Sequence, residues 1–90
     1  MKKNIYLVID REYNARDELV KDEILVAFDE REKAVDYIRS IEIPLTDGVV
    51  IDYFDKSKGH RAITYVYGNV RGIRIKEMEF IFGLAGETKL

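Results

Sequence analysis

The segment Phe28-Asp29-Glu30-Arg31-Glu32-Lys33-Ala34-Val35-Asp36-Tyr37-Ile38 constrains this chain more than any other. It closes the apolar run Ile24-Leu25-Val26-Ala27-Phe28 and opens a stretch in which Ala34, Val35, Ile38 and Ile41 share one helical face. Arg31, Lys33, Asp36 and Arg39 fall elsewhere. Asp29 is expected to cap this helix with Glu32 at its third position, giving acceptors to two otherwise orphaned backbone N–H groups. A strand leading straight into an amphipathic helix requires a sheet on which the helix can lay its apolar stripe. Pro44, followed by Thr46-Asp47-Gly48, ends the helix and turns the chain.

The remainder reads as strands. Residues 5–9 are apolar at every position, as are residues 24–28, and strands without alternation are usually central or covered on both faces. Between them, residues 10–23 are polar apart from Tyr13, Ala15, Leu19 and Val20. They read as a long hairpin loop or as one turn of helix over 15–20, and loops of that length are often functional. Two β-rich runs, 49–54 and 62–67, flank the turn Asp55-Lys56-Ser57-Lys58-Gly59-His60. Val49, Ile51 and Tyr53 share a face, and Ile63, Tyr65 and Tyr67 are similarly in phase. After Gly68-Asn69 and Gly72 the phase shifts, with Ile73 and Ile75 on one face and Met78, Phe80 and Phe82 on the other, which predicts a bulge or break. The expected fold is α+β: a single domain over residues 1–90, with an antiparallel sheet of four to five strands in the order β-β-α-β-β-β and one amphipathic helix packed on one face.

Ninety residues leave room for one core and little else. Apolar residues make up 47% and charged residues 36%, a globular balance. The absence of cysteine excludes a disulfide framework, a thiolate nucleophile and a cysteine-ligated metal. The apolar stretch after Met1-Lys2-Lys3-Asn4 stops at Asp10, too short for a signal peptide or a membrane span, so a cytoplasmic protein without membrane contact is expected. Neither a cofactor nor a metal is expected.

The formal charge of −2 hides an acidic region over 10–36 and a basic one over 56–76. The first functional expectation is a non-catalytic binding protein that contacts a protein partner, one that handles nucleic acid, through an acidic face of Asp17, Glu18, Asp22, Glu23 and Glu30. Such carboxylates stand where phosphates would otherwise lie. The alternative is a nucleotide or single-stranded nucleic-acid binding module built on a tyrosine-lined basic hairpin, with Tyr53, Lys58, Arg61, Tyr65, Tyr67, Arg71 and Arg74. The apolar tail with Met78, Phe80, Phe82 and Leu84 is expected to complete the sheet or to join two copies as a homodimer. His60, the only histidine, is expected as an exposed turn residue, because histidine triads and metal sites need partners that the chain does not possess. A more distant alternative pairs Asp10 with Asp52 for metal-dependent nuclease chemistry. Otherwise Asp52 is a polar residue on the solvent face of its strand.

Three short stretches resemble known families. The aspartate that follows the apolar first strand, residues 5–10, resembles the CRISPR-associated Cas2 proteins, which implies a nuclease. Ile5-Tyr6-Leu7 together with Lys58-Gly59-His60-Arg61-Ala62-Ile63-Thr64-Tyr65 is similar to the two strand signatures of RNA-recognition motifs, although His60 and Ala62 stand where stacking aromatics are expected. The succession Ile5-Tyr6-Leu7-Val8, Leu25-Val26-Ala27-Phe28 and Arg31-Glu32-Lys33-Ala34 with Tyr37-Ile38 resembles short uncharacterised proteins of bacteria and phages that run strand, strand, F-x-x-x-E-K-A helix. That likeness implies a phage or mobile-element accessory protein, such as an inhibitor of host defence, acting by binding.

Overall fold

The computed structural model describes residues 2–81. Five strands, β1 (Lys2–Tyr13), β2 (Leu19–Phe28), β3 (Val49–Asp55), β4 (His60–Tyr65) and β5 (Val70–Ile81), form one sheet in the order β2-β1-β5-β4-β3. Every neighbouring pair is antiparallel. Among the described residues one α-helix, α1 (Arg31–Ser40), followed by a short 3-10 turn (Leu45–Asp47), carries the chain from one edge strand to the other, and α1 lies on one face. This is the α+β order β-β-α-β-β-β that the sequence predicts.

Strands β1 and β2 extend much further than their apolar runs. The expected loop over 10–23 is in fact strand on both sides of a short turn, because its charges pair across the ladder: Arg11 Nε lies 3.0 Å from Asp22, and Lys21 Nζ 3.3 Å from Asp10. Opposite charges on neighbouring strands stabilise a ladder as apolar pairs do. Asn14 closes the turn, its Oδ1 accepting the N–H groups of Arg16 and Glu18, while Asp17 takes the left-handed conformation (φ 61°) that aspartate tolerates better than most residues.

The helix begins without the expected side-chain cap. Glu30, not Asp29, occupies the N-cap, no side chain bonds the first turn, and Asp29 instead pairs with Lys33 one turn on (3.0 Å). Its far end is held from outside: Arg61 on β4 donates through Nη1 to the carbonyl of Ile38 (2.9 Å) and to that of Ile41. A cation there also suits the negative end of the helix dipole. Ala34, Val35 and Ile38 are buried; Ala34 and Ile38 pack with Val8, Ile63, Tyr65 and Ile73 of the sheet, and Val35 lies by Gly59. Each fully buried isoleucine contributes about 1.5–3 kcal/mol of transfer free energy.

The phase shift after Gly72 needs no bulge. The β1–β5 ladder runs unbroken from Lys2↔Ile81 to Tyr13↔Val70, so Ile73 and Ile75 face the helix while Met78 faces away. The irregularities lie instead in β2 and β3, at Val8/Ile9 with Glu12/Tyr13 on the β1–β2 ladder and at Val49/Ile51 on the β3–β4 ladder. Nor is β1 covered on both faces by further elements. Among the described residues nothing packs over the side opposite the helix, where Ile24 is 61% exposed.

Candidate nucleic-acid interface

Ladder registers sort the side chains of this open face into rows. One row crosses four strands as Arg11, Gly72, Ala62 and Tyr53. It is flanked by Tyr13, Val70, Thr64 and Ile51 on one side and by Ile9, Arg74, His60 and Asp55 on the other. With only a hydrogen and a methyl at its centre, the row sinks into a depression of about 340 Å³, the scale of a small-molecule site. A Cβ built on Gly72 would meet nothing within 4 Å. Glycine inside a strand costs stability and often marks close approach by a ligand. Tyr53 is 61% exposed and Tyr13 36%, and among the described residues neither ring stacks on another.

Charge is segregated onto this face. Lys3, Arg11, Lys58, Arg74 and Lys76 border it, against Asp22 and Asp55. Asp22 is taken by Arg11, and Asp55 is turned into its own hairpin, accepting from the N–H and Oγ of Ser57 (3.0 and 2.7 Å) and from Lys58 N–H. Lys58, Arg74 and Lys76 have no carboxylate in ion-pair range among the described residues. His60 is not an exposed turn residue but the half-buried start of β4, facing the depression. Burial, with Arg74 and Lys58 nearby, holds its imidazolium below the usual histidine pKa. The turn that delivers Lys58 and His60 is set by Gly59, whose φ of 70° and packing against Ile75 and Val35 leave no room for a Cβ.

Of the residues expected on a basic hairpin, Tyr53, Lys58 and Arg74 meet here, but Arg61, Tyr65 and Arg71 do not. These three point to the helix side and hold the fold. Arg61 grips Asp52 with two bonds (2.8 and 2.7 Å), which keeps that carboxyl below the usual range; Asp52 therefore faces the helix layer, and Ile51 and Tyr53 take the solvent side. Arg71 likewise holds Asp10 by two bonds (2.8 and 2.7 Å). Burial pushes the fully enclosed Asp10 carboxyl up, yet Arg71 and Lys21 outweigh it and leave the pKa lowered. Tyr65 is buried, with exposed Tyr67 stacked on it at 5.1 Å. Sequence reasoning missed Arg11, Tyr13, Ala62 and Gly72, for which the available signal was a glycine inside a strand.

The remaining candidates do not assemble. Asp10 on β1 and Asp52 on β3 are three strand spacings apart, about 14 Å, too far to share a cation. Among the described residues no group of three histidine or carboxylate side chains is placed to hold a metal. Asp17 and Glu18 sit in the β1–β2 turn, Asp22 faces the open side, Glu23 pairs with Lys21 (3.5 Å) on the helix side, and Glu30 lies at the opposite end of β2, about 30 Å away. They form no common acidic face. Met78 is 37% exposed on the open side, Phe80 stands opposite Lys3 on β5, and Phe82 and Leu84 lie outside the described residues.

No protein-family model, curated protein or solved structure matches this chain. The motif likenesses stand on their few residues alone, and β5 separates β1 from β4, the two strands that carry the RNA-recognition signatures. No helix among the described residues is long and apolar enough to cross a membrane.

Proposed function

We propose that this protein is a non-catalytic binding module for a nucleotide unit, free or within a single strand, seated on the open face of its sheet. The observation that carries this reading is the depression floored by Gly72 and Ala62, walled by Tyr13 and Tyr53 and bordered by Lys58 and Arg74. A base stacks on a tyrosine ring whatever its identity, and lysine and arginine without carboxylate partners neutralise phosphate. With six tyrosines and no tryptophan, the chain's own tyrosine emission reports a base arriving on the face.

The test is a titration with short thymidylates, followed by tyrosine quenching, for wild type, Gly72→Val and Tyr53→Ala. A Cβ at Gly72 meets nothing within 4 Å, so Gly72→Val raises a branched side chain from the floor of the depression where the ligand would lie and blocks binding, while circular dichroism checks that the fold is kept. Loss of one stacked base costs about 1–3 kcal/mol, so Tyr53→Ala weakens binding roughly 5- to 150-fold. Wild-type affinity in folded Gly72→Val would refute the site.

A further inference from the structure

The open face holds a second depression, of about 300 Å³, beside the first. Ile9 forms part of its wall, it reaches Ile75 where β4 starts at His60, and Lys76 lies on its rim. The two depressions share Arg11, His60 and Arg74. Arg11 is committed to Asp22, so Arg74 is the cation that stands between them without a carboxylate partner among the described residues.

In a polynucleotide, neighbouring nucleosides are joined through one phosphodiester. A cation placed between two base-sized depressions therefore stands where the joining phosphate falls. A third depression lies further on, where Arg11 and Lys76 are offset by Asp22 and Glu23, so it offers a phosphate backbone no net positive rim. We infer, building on the nucleotide-binding reading above, that the ligand is a single-stranded polynucleotide of which two successive nucleotides are seated, with their joining phosphate on Arg74 and the second nucleotide against Lys76. A free mononucleotide fills only one of these positions and forfeits the bridge.

The probes are thymidine 5′-monophosphate, the thymidylate dinucleotide and the octamer, the uridylate series, and polyglutamate of matching charge, each titrated at several salt concentrations. Affinity rises at least about tenfold from monomer to dinucleotide, because the second nucleoside occupies the second depression and a second cation comes into play. The further gain to the octamer is no larger than its greater number of registers explains. Lys76→Ala weakens the dinucleotide but not the monomer. Arg74→Ala lowers the slope of log K against log salt for the dinucleotide by about 0.7, the value for one phosphate contact on a single strand. This pattern in either sugar series supports the inference. Equal affinity for monomer and dinucleotide overturns it while leaving the nucleotide-binding reading standing, and so does an equal effect of Lys76→Ala on both. Polyglutamate bound as tightly as the octamer also overturns it, since charge alone would then suffice. Failure of wild type to bind any nucleotide overturns the reading on which it rests.

Discussion

Replacing Arg61 with methionine separates the structural arginines of this fold from the binding ones. The side chain is 10% exposed and makes two bonds to Asp52, one to the Ile38 carbonyl at 2.9 Å, one to that of Ile41 and a longer one to that of Arg39 at 3.5 Å. The four shortest of these charge-assisted bonds, at about 1.5–3 kcal/mol each, would sum to roughly 6–12 kcal/mol, as much as the whole stability of about 5–15 kcal/mol usual for a domain. The contributions are not independent, and Asp52, 31% exposed, rehydrates once released. Breaking a buried pair by removing one partner costs about 3–5 kcal/mol, and this partial exposure places the expected loss near the lower end, roughly 3 kcal/mol. At about 4–8 °C per kcal/mol for a domain of this size, melting falls by roughly 12–24 °C. Urea unfolding followed by circular dichroism measures the loss. Adding Asp52→Asn to Arg61→Met then costs less than the two single losses combined, because the carboxylate stranded by the first change is gone. Thymidylate affinity and its salt slope, read below the melting range, stay unchanged. A loss of stability under about 1 kcal/mol would refute the staple, and a fall in affinity at intact stability would return Arg61 to the ligand.

Three further outcomes follow from the same geometry. Asp10 has a folded pKa below its unfolded value of about 3.9, so the stability it contributes is complete above that value and is lost as pH falls through the folded one. Urea midpoints between pH 5 and pH 2 therefore drop less steeply for Asp10→Asn, though Asp52 retains part of the slope for the same reason. His60, faced by Arg74, Lys58, Asp55 and Arg31, is held below the usual histidine pKa by burial and gains a negative neighbour when phosphate arrives, so dinucleotide affinity rises as falling pH protonates it; a flat profile in wild type, or a persisting rise in His60→Gln, contradicts its place beside the phosphate. Gly59→Ala forces a left-handed alanine against Ile75 and Val35, whose atoms lie 2.9 and 3.0 Å from the new Cβ, and costs more than about 1 kcal/mol in denaturation, whereas a neutral result would show the turn to be freely deformable.

The junction over residues 28–38 was legible because both of its signals, an apolar strand and a helical stripe, are local. The reach of β1 and β2 was not. Asp10, Arg11, Lys21, Asp22 and Glu23 look like loop residues singly, and only the cross-strand pairs Arg11–Asp22 and Lys21–Asp10 make them strand residues. The face of β3 was read upside down for a related reason. Ile51 and Tyr53 are the apolar residues, and a pattern argument sends them inward, but α1 covers only part of its side and Arg61 requires a carboxylate there. Within the candidate site, Tyr53, Lys58 and Arg74 were readable as side chains with chemistry. Gly72 and Ala62 were not, since what they contribute is the absence of a side chain at one point where four strands align.

That alignment also answers the objection that an acidic chain makes a poor nucleic-acid binder. Exposed charges are largely screened beyond the Debye length, about 8 Å at physiological salt, so a ligand lying on the sheet responds to the charges within that radius and not to the net charge of the chain. The formal −2 is an average over two unlike surfaces. The carboxylates of Asp10 and Asp52 are consumed beneath α1 by Arg71 and Arg61, and Asp22 and Asp55 on the open side are held by Arg11 and by the β3–β4 turn. What remains facing outward there is Lys58, Arg74 and Lys76 around the depressions, with Lys3 further along β1, which makes the local field positive in a protein whose composition is not. Three such cations give a single strand that spans them a salt slope near −2. A protein that bound through scattered surface charge would show a slope that grows with ligand length, whereas this one levels off once the strand has passed Lys76, because Asp22 and Glu23 offset the cations of the third depression.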